Sequence, residues 1–199
     1  MKMMKLNMMA KLFLLLSQKL DYFNSEKVLS NIGIATARAG NIIGGGDWAK
    51  DRLIPDLVKS AFKNKNVVIR NPNSVRPWQH VFDVVNGYLL LTENLYKKPK
   101  IFSESWNFGP VSKNIKVKDV VSISLKKLES KSKYILNKEK SNHETNRLNL
   151  NSKKSMTRLK WKPKLDIDNS LNLTLEWYKT FFSKKNIVKI SYKQIKNYF

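Results

Sequence analysis

Apolar residues recur in two rhythms along the chain, and the rhythms alternate. Ile32-Gly33-Ile34-Ala35-Thr36-Ala37 is small, β-branched and uncharged, the composition of a short buried strand. Leu53 to Ala61 is apolar at positions 53, 54, 57, 58 and 61, a helical spacing. Asn66-Val67-Val68-Ile69-Arg70 reads as a second strand, and Asn71-Pro72-Asn73 as a turn. The clearest helix runs from Val81 to Leu95. Positions 81, 84, 85, 88, 89 and 92 share one face, and Asp83 lies in the first turn, where a carboxylate suits the helix dipole. Ile101 to Phe108 predicts a strand leading into Gly109-Pro110, and Lys116 to Leu128 a second amphipathic helix. Tyr134-Ile135-Leu136 predicts a small strand, and residues 137–147 a polar loop. A short helix is expected over Ser152–Trp161, stopped by Pro163. Ile167-Asp168-Asn169-Ser170 offers an N-cap for a last strong helix, Leu171 to Phe182.

Strands alternating with helices predict an α/β fold. Three stretches divide it: an aberrant segment over 1–20, a main body over 21–182, and a basic tail over 183–199 with little periodicity. The first stretch pairs Met1-Lys2-Met3-Met4-Lys5 with the apolar run Leu12-Phe13-Leu14-Leu15-Leu16. That imitates a signal peptide, but the run is short and no small-residue cleavage site follows. It is also too short to span a bilayer, so a helix ending near Asn24 is expected.

Between the first strand and the first helix lies Arg38-Ala39-Gly40-Asn41-Ile42-Ile43-Gly44-Gly45-Gly46-Asp47-Trp48. In an open α/β sheet, ligands bind where the carboxyl ends of the strands open into loops. Taken alone, the three glycines read first as a mobile surface turn. They do not fit the spaced-glycine dinucleotide fingerprint.

Composition narrows the choice. A chain of 199 residues, 42% hydrophobic with five tryptophans, can bury a core. With no cysteine there is no disulfide or thiolate metal site. Only His80 and His143 supply imidazole, which argues against zinc. The net charge of +23 raises a nucleic-acid reading, yet 32 of the 38 basic residues are lysines scattered through the chain. Sequence readers of nucleic acid favour arginine for bidentate contacts, so no specific nucleic-acid partner is expected. No membrane partner is expected either, and the predicted location is cytoplasmic.

The arginines are clustered where the lysines are not. Four of the six, Arg38, Arg52, Arg70 and Arg76, fall within 39 residues at the predicted ends of strands and helices. They stand beside Asn41, Asp47, Asn71, Trp78 and His80. A guanidinium fork suits phosphate or carboxylate, and a pyrophosphate would match the cluster. Structural ion pairs would account for it as well.

Five motifs in order resemble the CDP-glucose 4,6-dehydratases, of the NAD-dependent epimerase/dehydratase family of extended short-chain dehydrogenase/reductases. They are Arg38–Trp48, Asp51-Arg52-Leu53-Ile54-Pro55-Asp56, Ile69-Arg70-Asn71-Pro72, Arg76-Pro77-Trp78-Gln79-His80-Val81 and Ser105-Trp106-Asn107-Phe108-Gly109-Pro110. Leu159-Lys160-Trp161-Lys162-Pro163 resembles the family's late Leu-Gly-Trp-x-Pro segment. The resemblance implies a Rossmann-like fold with a small α+β substrate lobe, here without the N-terminal dinucleotide-binding strands. By position, Asn41 is expected at the sugar-pyrophosphate, Arg52 and Leu53 along the nucleotide, Arg70 and Asn71 against base and ribose, and Arg76 on the pyrophosphate. Ala39 is expected to face the nicotinamide, with Arg38, Asp47, Trp48, Trp78, His80 and Asn107 as pocket support.

The family's reaction, as the resemblance implies it, passes a hydride from the sugar's C4 to NAD, loses water across C5 and C6, and returns the hydride to C6. It would place the chain in the making of O-antigen sugars. The glycine fingerprint and the acid and base of the dehydration step are not found in this chain. Tyr-x-x-x-Lys is missing from its expected place near residues 7–12, which read Asn7-Met8-Met9-Ala10-Lys11. The first 20 residues are therefore expected to be a new start made by truncation or frameshift. The chain is expected to be the CDP-sugar-binding half of an enzyme, inactive and without bound NAD by itself, with no residue assigned as catalytic. It would be completed by a separately encoded N-terminal half or act as a homo-oligomer.

Overall fold

A computed structural model describes residues 32–111, 115–136 and 147–199. The expectations for residues 1–24, and for the loop over 137–146, lie outside the described residues.

The first strand, β1 (Thr36–Ala39), starts later than the apolar pattern suggests and carries Arg38 and Ala39 inside it. β2 (Asn41–Ile43) follows after Gly40, where a side chain would meet the carbonyl of Pro77 at 2.3 Å. α1 (Leu53–Phe62) has Pro55 and Asp56 in its first turn and buries Ile54, Leu57, Val58 and Ala61, the predicted stripe. β3 (Val67–Ile69) alternates buried, exposed, buried. Two strands then stand where a loop is expected, β4 (Val75–Arg76) and β5 (Trp78–His80). All three β5 side chains are buried, a run with no alternation for a period-two pattern to reveal.

α2 (Val81–Lys97) is the predicted long helix. The expected strand over 101–108 is split. A single helical turn, α3 (Pro99–Phe102), precedes β6 (Ser105–Phe108), because Pro99 at the first helical position favours a turn. β7 (Ile115–Lys116), α4 (Val117–Lys127) and β8 (Tyr134–Leu136) follow, then α5 (Lys153–Arg158). α6 (Ile167–Phe182) begins before Leu171: Asp166 caps it by accepting the Asn169 N–H at 2.8 Å. The basic tail also holds a helix, α7 (Ile187–Tyr198), capped by Asn186, which accepts the Lys189 N–H at 2.9 Å.

The described residues fall into two units. In the first, which takes in 32–39, Val85–Phe108 and Asn151–Lys162, β1 pairs in parallel with β6. Thr36 lies opposite Ser105 and Arg38 opposite Asn107. Its core is Leu91, Phe102, Trp106, Phe108, Leu159 and Trp161. Ser155 fastens α5 to β6 by donating to the Asn107 carbonyl at 2.6 Å. Arg158 pairs with Glu104 at 2.7 Å, and Lys154 pairs with the same carboxylate. Both cations hold the Glu104 carboxyl below its usual range.

The second unit holds Gly40–Val84, Gly109–Leu150 and Pro163–Phe199. β2 pairs in parallel with β5, β3 in parallel with β8, and β4 antiparallel with β7. Ile43, Leu57, Val58, Ile69, Val120, Leu171 and Leu175 are among its core residues, so α1, α4 and α6 share one apolar interior. Asp83 is fully buried and tethers this unit. Its carboxylate accepts the N–H groups of Lys164 and Leu165 at 2.7 and 3.3 Å and the Tyr198 hydroxyl at 2.7 Å.

Candidate functional site

The glycine-rich loop is held from several sides, unlike a mobile surface turn. A side chain on Gly45 would lie 2.2 Å from the Trp177 ring, so only glycine lets the backbone come this close to α6. The Tyr178 hydroxyl donates to the Asp47 carbonyl, and the Asp47 carboxylate accepts the Ala49 N–H at 3.0 Å. Trp48 packs edge-on against Tyr178 and touches Phe181 and Phe182. Lys59, on α1, donates to the Trp48 carbonyl at 2.8 Å. Burial, reinforced by the Asp47 charge, pushes the Tyr178 hydroxyl up to about 12, so it stays a neutral donor.

Beside this loop the second unit opens a cleft of about 510 Å³, lined by β2, the loop, the start of α1 and the end of β3. Asn41, Arg52, Leu53, Arg70, Asn71 and Arg76 all line it, as do Asp47 and Trp78. Trp48 and His80 are not in its lining; they act on the loop and strand behind it. Arg38, Ala39 and Asn107 belong to the first unit, where Arg38 and Asn107 are register partners.

The charges in the cleft are balanced. Arg52, Arg70 and Arg76 face Asp47, Asp51 and Asp56. Arg52 pairs with Asp47 at 3.1 Å, and Arg70 pairs with Asp51. Both arginine side chains are more than half exposed, at 65% and 52%. Exposed pairs of this kind are worth about 0–1 kcal/mol, so an incoming phosphate can replace the Asp47 carboxylate on Arg52 at small cost. Arg76 differs. It is only 9% exposed, on strand β4, and donates to the Val75 carbonyl at 3.0 Å.

His80 is buried at 1% exposure, and burial pushes its imidazole down to about 4, so it is neutral near pH 7. Nδ1 accepts the Phe82 N–H at 3.2 Å, while Nε2 has no partner among the described residues. Its ring packs edge-on against Phe82. This is a structural histidine at the entry to α2.

Sequence reasoning gave no role to Asp51, Trp177 or Tyr178, and gave Asp83 only a place beside the helix dipole. Asp51 is signalled by an acid next to Arg52, in a backbone conformation (φ 64°) that aspartate tolerates better than most residues. The aromatic pair on α6 looks like ordinary core spacing, and nothing in the pattern ties it to Gly45.

The dinucleotide implied by the resemblance does not fit the described residues. The one run of consecutive glycines is closed by Trp177 against Gly45 and by Val81 against Gly44, which leaves no open backbone cradle for its pyrophosphate. Tyrosines stand four residues before lysines at 96, 134 and 192, but none of the three lines the cleft. Among the described residues no cluster of three His, Asp or Glu side chains could hold a metal, and no helix is long and apolar enough to cross a membrane.

No protein-family model matches the chain. CDP-glucose 4,6-dehydratase of Salmonella typhimurium is 39% identical to it over 168 residues, which is 84% of this chain and 47% of that protein. The match falls in the C-terminal part of the enzyme, and the chain spans about half the length of this curated relative. Among solved structures, UDP-glucose 4-epimerase from Stenotrophomonas maltophila, with bound NAD and formylated UDP-arabinopyranose, superposes with a TM-score of 0.73 at 16% identity. It covers 86% of this chain and 54% of its own. dTDP-glucose 4,6-dehydratase from Bacillus anthracis, in complex with NAD, gives 0.64 at 20% identity, covering 83% and 50%. UDP-glucuronic acid 4-epimerase from Bacillus cereus gives 0.66 at 18%, covering 75% and 46%. The fold is that of the extended short-chain dehydrogenase/reductases, over about half their length.

Proposed function

We propose, from the premise that this chain is related to CDP-glucose 4,6-dehydratase and has the fold of NAD-dependent epimerases and dehydratases, that its cleft binds the nucleotide and pyrophosphate of a CDP-sugar. One observation carries the reading. Six residues scattered from Asn41 to Arg76 converge on a single cleft, together with an exposed Arg52–Asp47 pair that a phosphate can open. Arg76 holds the pyrophosphate. Arg52 adds a second guanidinium once Asp47 is displaced, and Asn41 offers an amide toward the sugar side. Leu53 and Trp78 supply apolar walls that exclude water and strengthen each charged contact.

Calorimetric titration of CDP-glucose into the full chain tests the assignment. Arg76→Ala is expected to weaken binding by about 1.5–3 kcal/mol, the worth of hydrogen bonds to a charged group. Arg76→Lys restores only part, since an ammonium cannot reproduce the planar fork. Lys185→Ala, in the turn between α6 and α7, changes little. Equal losses at Arg76 and Lys185 would show a general basic surface in place of a pyrophosphate site.

A further inference from the structure

We propose that the Asp51–Arg70 pair at the rim of the cleft reads the base of the bound nucleotide and selects cytosine over uracil and thymine. The inference rests on the nucleotide-sugar reading of the cleft and adds to it the residues that set nucleotide preference.

Asp51 and Arg70 stand nineteen residues apart, one in the turn before α1 and the other at the end of β3, and their ion pair joins the two across the cleft wall. Asp51 uses Oδ1 for this contact, and Oδ2 has no partner among the described residues. Arg70 commits one of its five N–H donors, through Nη2, and the others have no partner among the described residues. The pair therefore presents a carboxylate acceptor beside guanidinium donors on one exposed edge, with Asp51 75% and Arg70 52% exposed. Val68, 56% exposed, lies in the same lining and offers an apolar surface for a flat ring, with Asn71 beside Arg70.

Cytosine's pairing edge runs donor, acceptor, acceptor: the exocyclic amine, N3 and O2. Carboxylates accept from that amine, and arginine donates to adjacent base acceptors. Carboxylate, N–H, N–H complements this order. Uracil and thymine carry acceptor, donor, acceptor on the same edge. Their O4 would face the carboxylate and their N3–H would face the guanidinium, two repulsive contacts. Discrimination of this kind comes from the misfit as much as from the fit.

The test is the ratio of affinities for CDP-glucose and UDP-glucose, measured by calorimetry on the full chain. The unchanged protein is expected to favour CDP-glucose by about tenfold or more, the usual worth of one well-matched base contact. Asp51→Asn can turn an N–H outward toward O4, and is expected to lower that ratio by about tenfold while UDP-glucose binding holds or tightens. Asparagine tolerates the positive φ at this exposed position, so the variant keeps the fold, which a circular dichroism melt checks. Arg76→Ala weakens both ligands alike and leaves the ratio intact. A ratio that Asp51→Asn does not change, or equal affinities in the unchanged protein, overturns the base-reading assignment and leaves the cleft reading standing. No binding of either nucleotide-sugar overturns both.

Discussion

His80 shows how a single side chain ties sequence, packing and pH response together. It stands in the motif shared with the dehydratases and could be read as a catalytic group. Its surroundings make it structural. The imidazole is buried beside Phe82, accepts one backbone N–H, and is held neutral by desolvation. Its pKa falls from 6.5 to about 4 on folding, so the unfolded chain binds the extra proton between those values. Above pH 6.5 the residue is neutral in both states and adds no pH dependence. Between pH 6.5 and 4 it lowers stability as the pH falls, by up to about 3 kcal/mol. Denaturant titrations across that window should show the acid arm flatten in His80→Gln relative to the unchanged chain. Equal slopes would mean that His80 is not held neutral. The arginines beside it were legible as a cluster, because four of six fall within a short span. Their division of labour was not. Partner carboxylates and burial separate Arg76 from Arg52 and Arg70, and both are set by three-dimensional packing.

Among the elements, those with apolar stripes were readable from the chain, and those held by polar contacts were not. α1 and α4 follow their predicted spacing because each buries a continuous apolar face. α2 forms where the spacing places it, but Val85, Tyr88 and Leu89 of its predicted face are exposed, and it buries Asp83, Val84, Gly87 and Leu91 instead. α7 has no such apolar face, since its buried residues are Gln194 and Tyr198. It docks through hydrogen bonds. Gln194 donates to the Leu173 carbonyl at 3.0 Å and to Glu176 at 2.9 Å, Ser191 accepts the Trp177 indole N–H at 2.9 Å, and Tyr198 donates to Asp83. β4 and β5 escaped notice for a related reason: each is two or three residues long and lacks alternation. The docking of α7 has a measurable consequence. Tyr198→Phe leaves a fully buried carboxylate one donor short, and should lower stability by about 1–3 kcal/mol in urea denaturation. Loss of only a few tenths would show that α7 contributes little to the second unit. Because α7 also braces Trp177, which closes on Gly45, the same variant should loosen the glycine-rich loop.

At the scale of the whole molecule, a net charge of +23 coexists with a cleft whose three arginines face three aspartates. The surface as a whole attracts polyanions, and that attraction is screened by salt. The cleft differs. Its pairing with a nucleotide-sugar depends on oriented groups at hydrogen-bond distance, which salt weakens far less. The fold class was legible in the alternation of strands and helices, and the relationship to the dehydratases in motifs that lie in register. The way α6 holds the loop beside the cleft was not, because Gly45 and Trp177 are 132 positions apart in the chain. The most direct measurement is therefore a calorimetric titration of CDP-glucose into the full chain, at about 50 mM and about 500 mM salt. The account predicts saturable binding at one site per chain, with an affinity that changes by less than about threefold between the two conditions. Binding that does not saturate, or that disappears at the higher salt, would contradict it.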